Sequence, residues 1–217
     1  MRTKIGVIQA SSQYEKNTLL FDTVCKYAEE HSVINFGCCG SEQKKYSYVE
    51  ISIEVGLLLA GGAVDFIVTG CSSGQGMMLA CNNMPGVLCG YTPTPQDAYL
   101  FAQINNGNAV SLPLGLNYGW AGEINLNHTL EALFSEPFGN GYPSHEAERK
   151  MRDTARLKEI RKLSQVGMIE LLEKLDTEIL HKVLERKNVI NFIIHNGSDK
   201  NLVRWLQAKI MEEPYVL

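Results

Sequence analysis

A chain of 217 residues, 45% hydrophobic and 20% charged, is long enough for one globular domain carrying a substantial appendage. Its formal net charge of −4 offers no overall attraction to nucleic acid or to an anionic membrane, which leaves a small soluble ligand as the expected partner. No segment reaches the roughly 18 apolar residues of a membrane span, and the N-terminus enters a strand-like run with no leader pattern, so a cytoplasmic protein is expected.

In chain order the pattern alternates. "KIGVIQ" (4–9) reads as a strand, "NTLLFDTVCKYAEEH" (17–31) has apolar residues at helical spacing, and "VINFG" (33–37) is a strand ended by glycine. "SYVEISIEVGLLLAGG" (47–62) reads as a helix stopped by its glycine pair, followed by the strand "DFIVTG" (65–70), a glycine-rich turn and a helix to about Asn83. Then come "GVLCGY" (86–91), a helix opened by proline (95–106), the strand "NAVSLPLG" (108–115) and a helix (121–134). Strands alternating with helices predict a three-layer α/β sandwich around a five-stranded parallel, Rossmann-like sheet. After the loop "SEPFGNGYPSH" the chain turns rich in Arg, Lys, Glu and Leu, with helical periodicity from Glu146 to about Arg186. "NVINFIIHNG" (188–197) fits strand or helix equally, and 199–210 is a last helix. The expected division is an α/β domain over 1–152 and a helical C-terminal extension over 153–217.

The cysteines at 25, 38, 39, 71, 81 and 89 are too irregular for a disulfide framework, and no C-x-x-C pair is present to hold zinc. They read as free thiols. The vicinal Cys38 and Cys39 read as packing at a strand end, since neighbouring side chains in an extended segment point apart.

"DFIVTGCSSGQGMMLA" (65–80) is where chemistry is expected, because ligands of open parallel sheets bind at the carboxyl ends of the strands. Three chemistries fit it: Ser72 as the nucleophile of a G-x-S-x-G elbow, Cys71 as a thiolate base or nucleophile, or a glycine turn that holds an anion. The elbow wants an oxyanion segment such as HGGG and a downstream acid and histidine at strand ends; the first is missing, Asp97 starts a helix and His128 sits within one. A cysteine phosphatase wants arginine at position 77, which is Met77. His31, His128, His181 and His195 fall on helical faces or ends and read as structural or solvated, whereas His145 lies in a loop.

"GCSSGQGMMLACNNMPGV" resembles the active-site segment of the ribose-5-phosphate isomerase B and galactose-6-phosphate isomerase family, C-G-T-G-x-G followed by A-N-K-x-P-G. Cys71, Ser73, Gly74, Gly76, Asn82, Pro85 and Gly86 fall on that pattern. "KIGVI", Tyr46, "NNGNAVSLPLG" and "GNGYPSHEAER" extend the likeness over roughly residues 4 to 152. The resemblance implies a metal- and cofactor-independent aldose–ketose isomerase that works through a cis-enediolate on a sugar or sugar phosphate. It implies Cys71 as base, Ser73 beside it, and an anion hole and substrate contacts from Ser72, Gly74, Gln75, Gly76, Asn105, Ser11 and Tyr46. It further implies a homodimer or higher homo-oligomer in which His145 and Arg149 of the neighbouring subunit bind phosphate. The alternatives are a non-catalytic sugar- or anion-binding protein on the same fold, and a serine hydrolase using Ser72. The chain departs from the family pattern at Ala10 and Ser11, where the family has Asp-His, at Ile104, where it has the ring-opening histidine, and at Leu88, near its missing arginine. Isoleucine neither donates nor accepts a proton, so poor activity on ring-closed ribose 5-phosphate is expected.

Overall fold

The computed structural model describes residues 3–40, 45–116 and 118–212. Five strands, β1 (Lys4–Ile8), β2 (Ser32–Gly37), β3 (Phe66–Cys71), β4 (Cys89–Tyr91) and β5 (Ala109–Pro113), form one parallel sheet in the order β2-β1-β3-β5-β4. All six residues of the central β3 are buried, as expected of a strand covered on both faces.

The two faces carry separate apolar sets. Ile5, Val7, Phe66, Val68, Val110 and Leu112 pack under α1 (Asn17–Tyr27) and α5 (Gly122–Phe134). Ile8, Ile67, Cys71 and Ala109 face α2 (Tyr48–Ala60) and α3 (Gln75–Asn83). Between β4 and β5, α4 (Pro95–Leu100) runs into a π turn, Phe101–Asn105. The starts of these helices are written locally: Ser47 and Glu50 make a reciprocal capping box for α2, and Thr94 caps α4 ahead of a proline in its first turn.

The stretch read as continuously helical from 146 to 186 is three helices, α6 (Ala147–Ser164), α7 (Met168–Lys174) and α8 (Thr177–Leu184). Each break is a capping residue that periodicity alone does not reveal: Gly167 precedes α7, and the Asp176 carboxylate accepts from the N–H groups of Glu178 and Ile179 at the start of α8. The ambiguous 188–197 stretch is helical, as α9 (Lys187–Asn196), and α10 (Lys200–Glu212) follows. None of the described helices is long and apolar enough to cross a membrane.

These C-terminal helices extend the core of the sheet outward. Met168, Leu172, Val183, Ile190, Ile193, Leu202 and Leu206 share one apolar cluster with Ile51, Val55 and Leu58 of α2. A buried ion pair lies within that contact. Arg186 Nη1 is 2.8 Å from Glu54 Oε2, with both side chains at 2% exposure or less. The other arm of Arg186 donates to the Phe36 carbonyl at the end of β2, and the guanidinium lies 4.8 Å from the Tyr46 ring centroid. One turn away Lys182 bonds Glu50 at 2.6 Å. Burial works to raise the Glu50 carboxyl, but the Lys182 ammonium, the Ser47 hydroxyl and a backbone N–H together hold it below the ordinary value.

Arg186→Met is expected to destabilise the protein by about 3–5 kcal/mol, since it strands the Glu54 carboxylate out of water. Adding Glu54→Gln should recover much of that loss, and urea unfolding of the single and double variants measures both. A loss under about 1 kcal/mol in Arg186→Met would show that the pair does not hold the C-terminal helices.

Candidate active site

Strand β3 delivers Cys71 to its carboxyl end, where the chain turns through Ser72, Ser73 and Gly74 into α3. Gly74 has φ +76°, and a Cβ there would lie 2.7 Å from the Tyr91 ring and 2.8 Å from the Leu112 carbonyl carbon, so the turn needs glycine on both counts. Gly76 is different: a Cβ there would meet only the Tyr48 ring, at an ordinary 3.6 Å.

The carbonyls of the turn are held from below. Leu114 N donates to Cys71 O at 3.0 Å, Gly115 N and Leu116 N donate to Ser72 O at 2.9 and 2.7 Å, and Ser111 Oγ donates to Gly74 O at 2.6 Å. The N–H groups of Ser72, Ser73 and Gly74 have no acceptor among the described residues, while Gln75 N donates to Ser73 Oγ at 3.3 Å. Open amides at a helix start favour negative charge.

Cys71, 7% exposed, shares its apolar cluster with Tyr46, Ala10 and Cys38. The end of β1 stitches this wall together: Ala10 N donates to Gly70 O at 3.0 Å, Ser11 N to Tyr46 O at 3.0 Å, and Tyr46 N to Ser11 Oγ at 2.7 Å. Cys71, Ser72, Ser73, Gly74, Gln75, Gly76, Ser11 and Tyr46 are therefore gathered at one end of the sheet. Cys39 Sγ lies 3.2 Å from Asn17 Oδ1, and none of the six cysteines is in a disulfide. Cys89 is no rival nucleophile, because its hydrogen bond with Cys81 and its burial push its thiol well above the ordinary value.

The other named residues lie elsewhere. Asn105 ends the π turn that leads into the start of β5, whereas Cys71 pairs with Pro113 at its finish; four residues of strand rise, about 13 Å, separate the two levels. The segment holding His145 and Arg149 sits on that same far side. Gly141 N donates to Gln103 O at 2.9 Å, and Thr154 Oγ1 donates to Ile104 O at 2.7 Å. His145 is exposed, and Arg149 is held by Glu146 and, at 3.0 Å, by Asp153. One chain thus presents two groups of site residues at opposite ends of its sheet.

Residues not singled out as site candidates in the sequence complete the rim near Cys71. Gln13 Nε2 donates to Ser72 Oγ at 2.8 Å, Ser72 Oγ lies 3.4 Å from Ser12 Oγ, and Lys16 Nζ donates to Gln13 Oε1 at 3.2 Å while standing 4.5 Å from the Tyr118 ring centroid. They follow β1 directly, and a polar run just after a parallel strand was the available signal. Neither an amide nor a hydroxyl accepts a proton at neutral pH, so these partners do not activate Ser72 as a nucleophile. Among the described residues no three His, Cys, Asp or Glu side chains converge as a metal-ligand group.

A cysteine, a glycine turn and open amides thus meet at a strand end of a doubly wound parallel sheet, the place where ligands of such sheets bind. The chain belongs to the ribose/galactose isomerase family, whose profile matches residues 5–151. It is similar to a 4-deoxy-L-threo-5-hexosulose-uronate ketol-isomerase crystallised with a tartrate, at 35% identity and a TM-score of 0.91 over 96% of this chain and 99% of that one. A ribose-5-phosphate isomerase of Vibrio parahaemolyticus is similar at 32% identity and a TM-score of 0.90 over the same shares. The type B ribose 5-phosphate isomerase of Trypanosoma cruzi shares the fold at 21% identity and a TM-score of 0.62, over 74% of this chain and 97% of its own. The first two alignments run through the C-terminal helices, which are therefore part of a shared fold. No curated protein sequence matches significantly.

Gly74→Ala is expected to lower stability by about 1–3 kcal/mol through strain and the clash with the Leu112 backbone. Gly76→Ala should leave the thermal midpoint unchanged or raise it slightly, because the added methyl meets no clash and favours the helix. Calorimetry of the two variants checks the contrast; equal losses would show that the turn is not held as described.

Proposed function

We propose that the protein is an aldose–ketose isomerase acting by proton transfer, without a metal, on an open-chain sugar acid. The observation that carries this reading is the strand-end turn, with a nearly buried Cys71 beside amides that have no acceptor of their own. Cys71 as thiolate takes the proton from the carbon next to the carbonyl, and the Ser72, Ser73 and Gly74 N–H groups hold the charge that develops on oxygen. The thiol returns the proton to the neighbouring carbon while the hydroxyl proton passes between the two oxygens, and the carbonyl has moved by one position. Ser11, Tyr46, Ser73 and Gln75 contact the hydroxyls.

Four features support a sugar acid over a cyclic sugar phosphate. Ile104 stands where the family opens rings, and a side chain with no donor or acceptor opens none. Arg149 is already occupied by two carboxylates, which weakens it as a phosphate clamp. Lys16 is two hydrogen bonds from Ser72 and suits a single carboxylate. The similar ketol-isomerase acts on a hexosulose uronate, in which a ketone at C5 replaces the hydroxyl that would close a six-membered ring.

The site is completed between subunits in this reading. Asn105, His145 and Arg149 are remote from their own Cys71, and α6, which carries Arg149, buries none of its residues and leaves Ile160 at 59% and Leu163 at 88% exposure. A second copy of the chain would cover that face and bring the two groups together.

Cys71→Ala should lower turnover by at least about a hundredfold with the fold intact, since a positioned base contributes roughly 10²–10⁴. Proton NMR in deuterated water on a panel of aldoses, ketoses and their acids should show solvent deuterium entering C2 with the wild type and not with the variant. Near-normal exchange in Cys71→Ala would sink the assignment. Ribose 5-phosphate should give a kcat/KM well below that of a substrate unable to form a stable ring; comparable efficiency on both would show that another residue opens rings. Mixing Cys71→Ala with His145→Ala subunits should restore activity through hybrid dimers, and no recovery despite demonstrated subunit exchange would refute the shared site.

A further inference from the structure

Most charges of α6 are paired along its own surface: Arg149 with Glu146 and Asp153, Arg152 with Glu148, Arg156 with Asp153, Lys162 with Glu159. Arg161 is turned the other way. Its Nη2 donates to the carbonyls of Asn82, at 2.8 Å, and Val87, and its Nε is buried without a hydrogen-bond partner among the described residues. Carbonyl oxygens do not neutralise a guanidinium, and burial pushes this one below its ordinary value. Lys158 stands one turn before it, at a spacing where like charges repel, and Lys162, paired with Glu159, follows it.

That face borders a cavity of about 560 Å³, within the range of small-molecule sites. Its other walls are the 85–88 loop, the last turn of α2 and the joint at Gly167 between α6 and α7. Asp199 stands on the far side, with its Oδ1 engaged in capping α10 through the N–H groups of Asn201 and Leu202. Residues 85–88 lead into β4 and Asn108 leads into β5, so the cavity lies at the opposite end of the sheet from Cys71. Along α6 it is about 18 Å from Arg149, at 1.5 Å per residue.

We propose that this cavity is a second binding site, separate from the Cys71 turn, for a small anion carrying phosphate or carboxylate groups, with Arg161 at its base and Lys158 and Lys162 at its rim. The Arg161 guanidinium, whose hydrogen-bond partners among the described residues are carbonyls, supplies positive charge in a partly desolvated setting, and an anion there offsets its repulsion with Lys158. Its position where the C-terminal helices meet the α/β body is a common one for ligand clefts.

Calorimetric titration at constant ionic strength, with inorganic phosphate in one arm and citrate in the other, tests this without reference to any enzymatic activity. Saturable binding of at least one anion is expected, the stronger arm identifying the source. Lys158→Gln and Lys162→Gln, both at exposed positions where the fold tolerates them, should each weaken it by about tenfold, and Arg161→Gln should abolish it. The binding that depends on Lys158 and Lys162 should persist in Lys16→Gln and His145→Gln, whatever those variants lose at the Cys71 turn. Absence of saturable binding in both arms would overturn the proposal, as would binding lost in Lys16→Gln or His145→Gln and untouched in the Lys158 and Lys162 variants.

Discussion

One buried ion pair joins parts of the chain that are far apart in sequence. Arg186 reaches from the α8–α9 junction to Glu54 on α2, to the Phe36 carbonyl at the end of β2 and over the ring of Tyr46. A charge with its side chain 2% exposed is tolerated only when every direction it faces holds a partner, and here the partners are the outer helix, a strand end and the wall of the site. The C-terminal helices are therefore coupled to the Cys71 region by electrostatics as well as by apolar contact. Lys182 adds a second cation 5.9 Å from the same ring centroid, so Tyr46 is backed by residues that lie well beyond the family profile's match to 5–151.

The direction of parallel strands determines what one subunit can do alone. Every strand points its carboxyl end the same way, so whatever follows β1 and β3 meets at one end, and whatever precedes β5 meets at the other. Ser11, Tyr46 and the 71–76 turn belong to the first set; Ile104 and Asn105 belong to the second, with the loop of His145 docked beside them. No rearrangement of side chains closes a gap of that length. Under the proposed shared site a second copy supplies the missing group, and the uncovered face of α6 then bears on chemistry as well as on assembly.

How far the fold was legible in the sequence depended on whether the signal was local. Strands such as β3 and the helix stopped by the glycine pair at 61–62 announce themselves through apolar runs and local breakers, and the alternation of elements led to the five-stranded parallel sheet. The divisions within 146–186 were not visible because helical periodicity continues across Gly167 and Asp176, where only a cap marks the break. Cys71 and its turn could be found from a strand running into glycines. Arg186 could not, since a lone arginine among Lys and Glu looks solvated, and its partner Glu54 lies 132 residues away. Asn105 was grouped with Cys71 by likeness to the family motif, which carries no information about which end of the sheet, or which subunit, a motif residue occupies.

The same distinction bears on how the site differs from one that handles ring-closed sugar phosphates. At the end of β1, where the family carries Asp-His, the chain has small Ala10 and Ser11, and the space beside them is filled by neutral amides. The buried Gln9 donates to Cys38 O at 2.7 Å and accepts from Asn17 at 2.9 Å, and Asn17 exchanges hydrogen bonds with Asn35. Amides hold position well but exchange no protons at neutral pH, so this corner is built to orient and not to titrate. With Ile104 equally inert, the proposed mechanism assigns the proton transfer to Cys71, flanked by hydroxyls and open N–H groups. A site with one mobile proton suits a substrate that needs a single carbon-to-carbon transfer and arrives with its carbonyl already free.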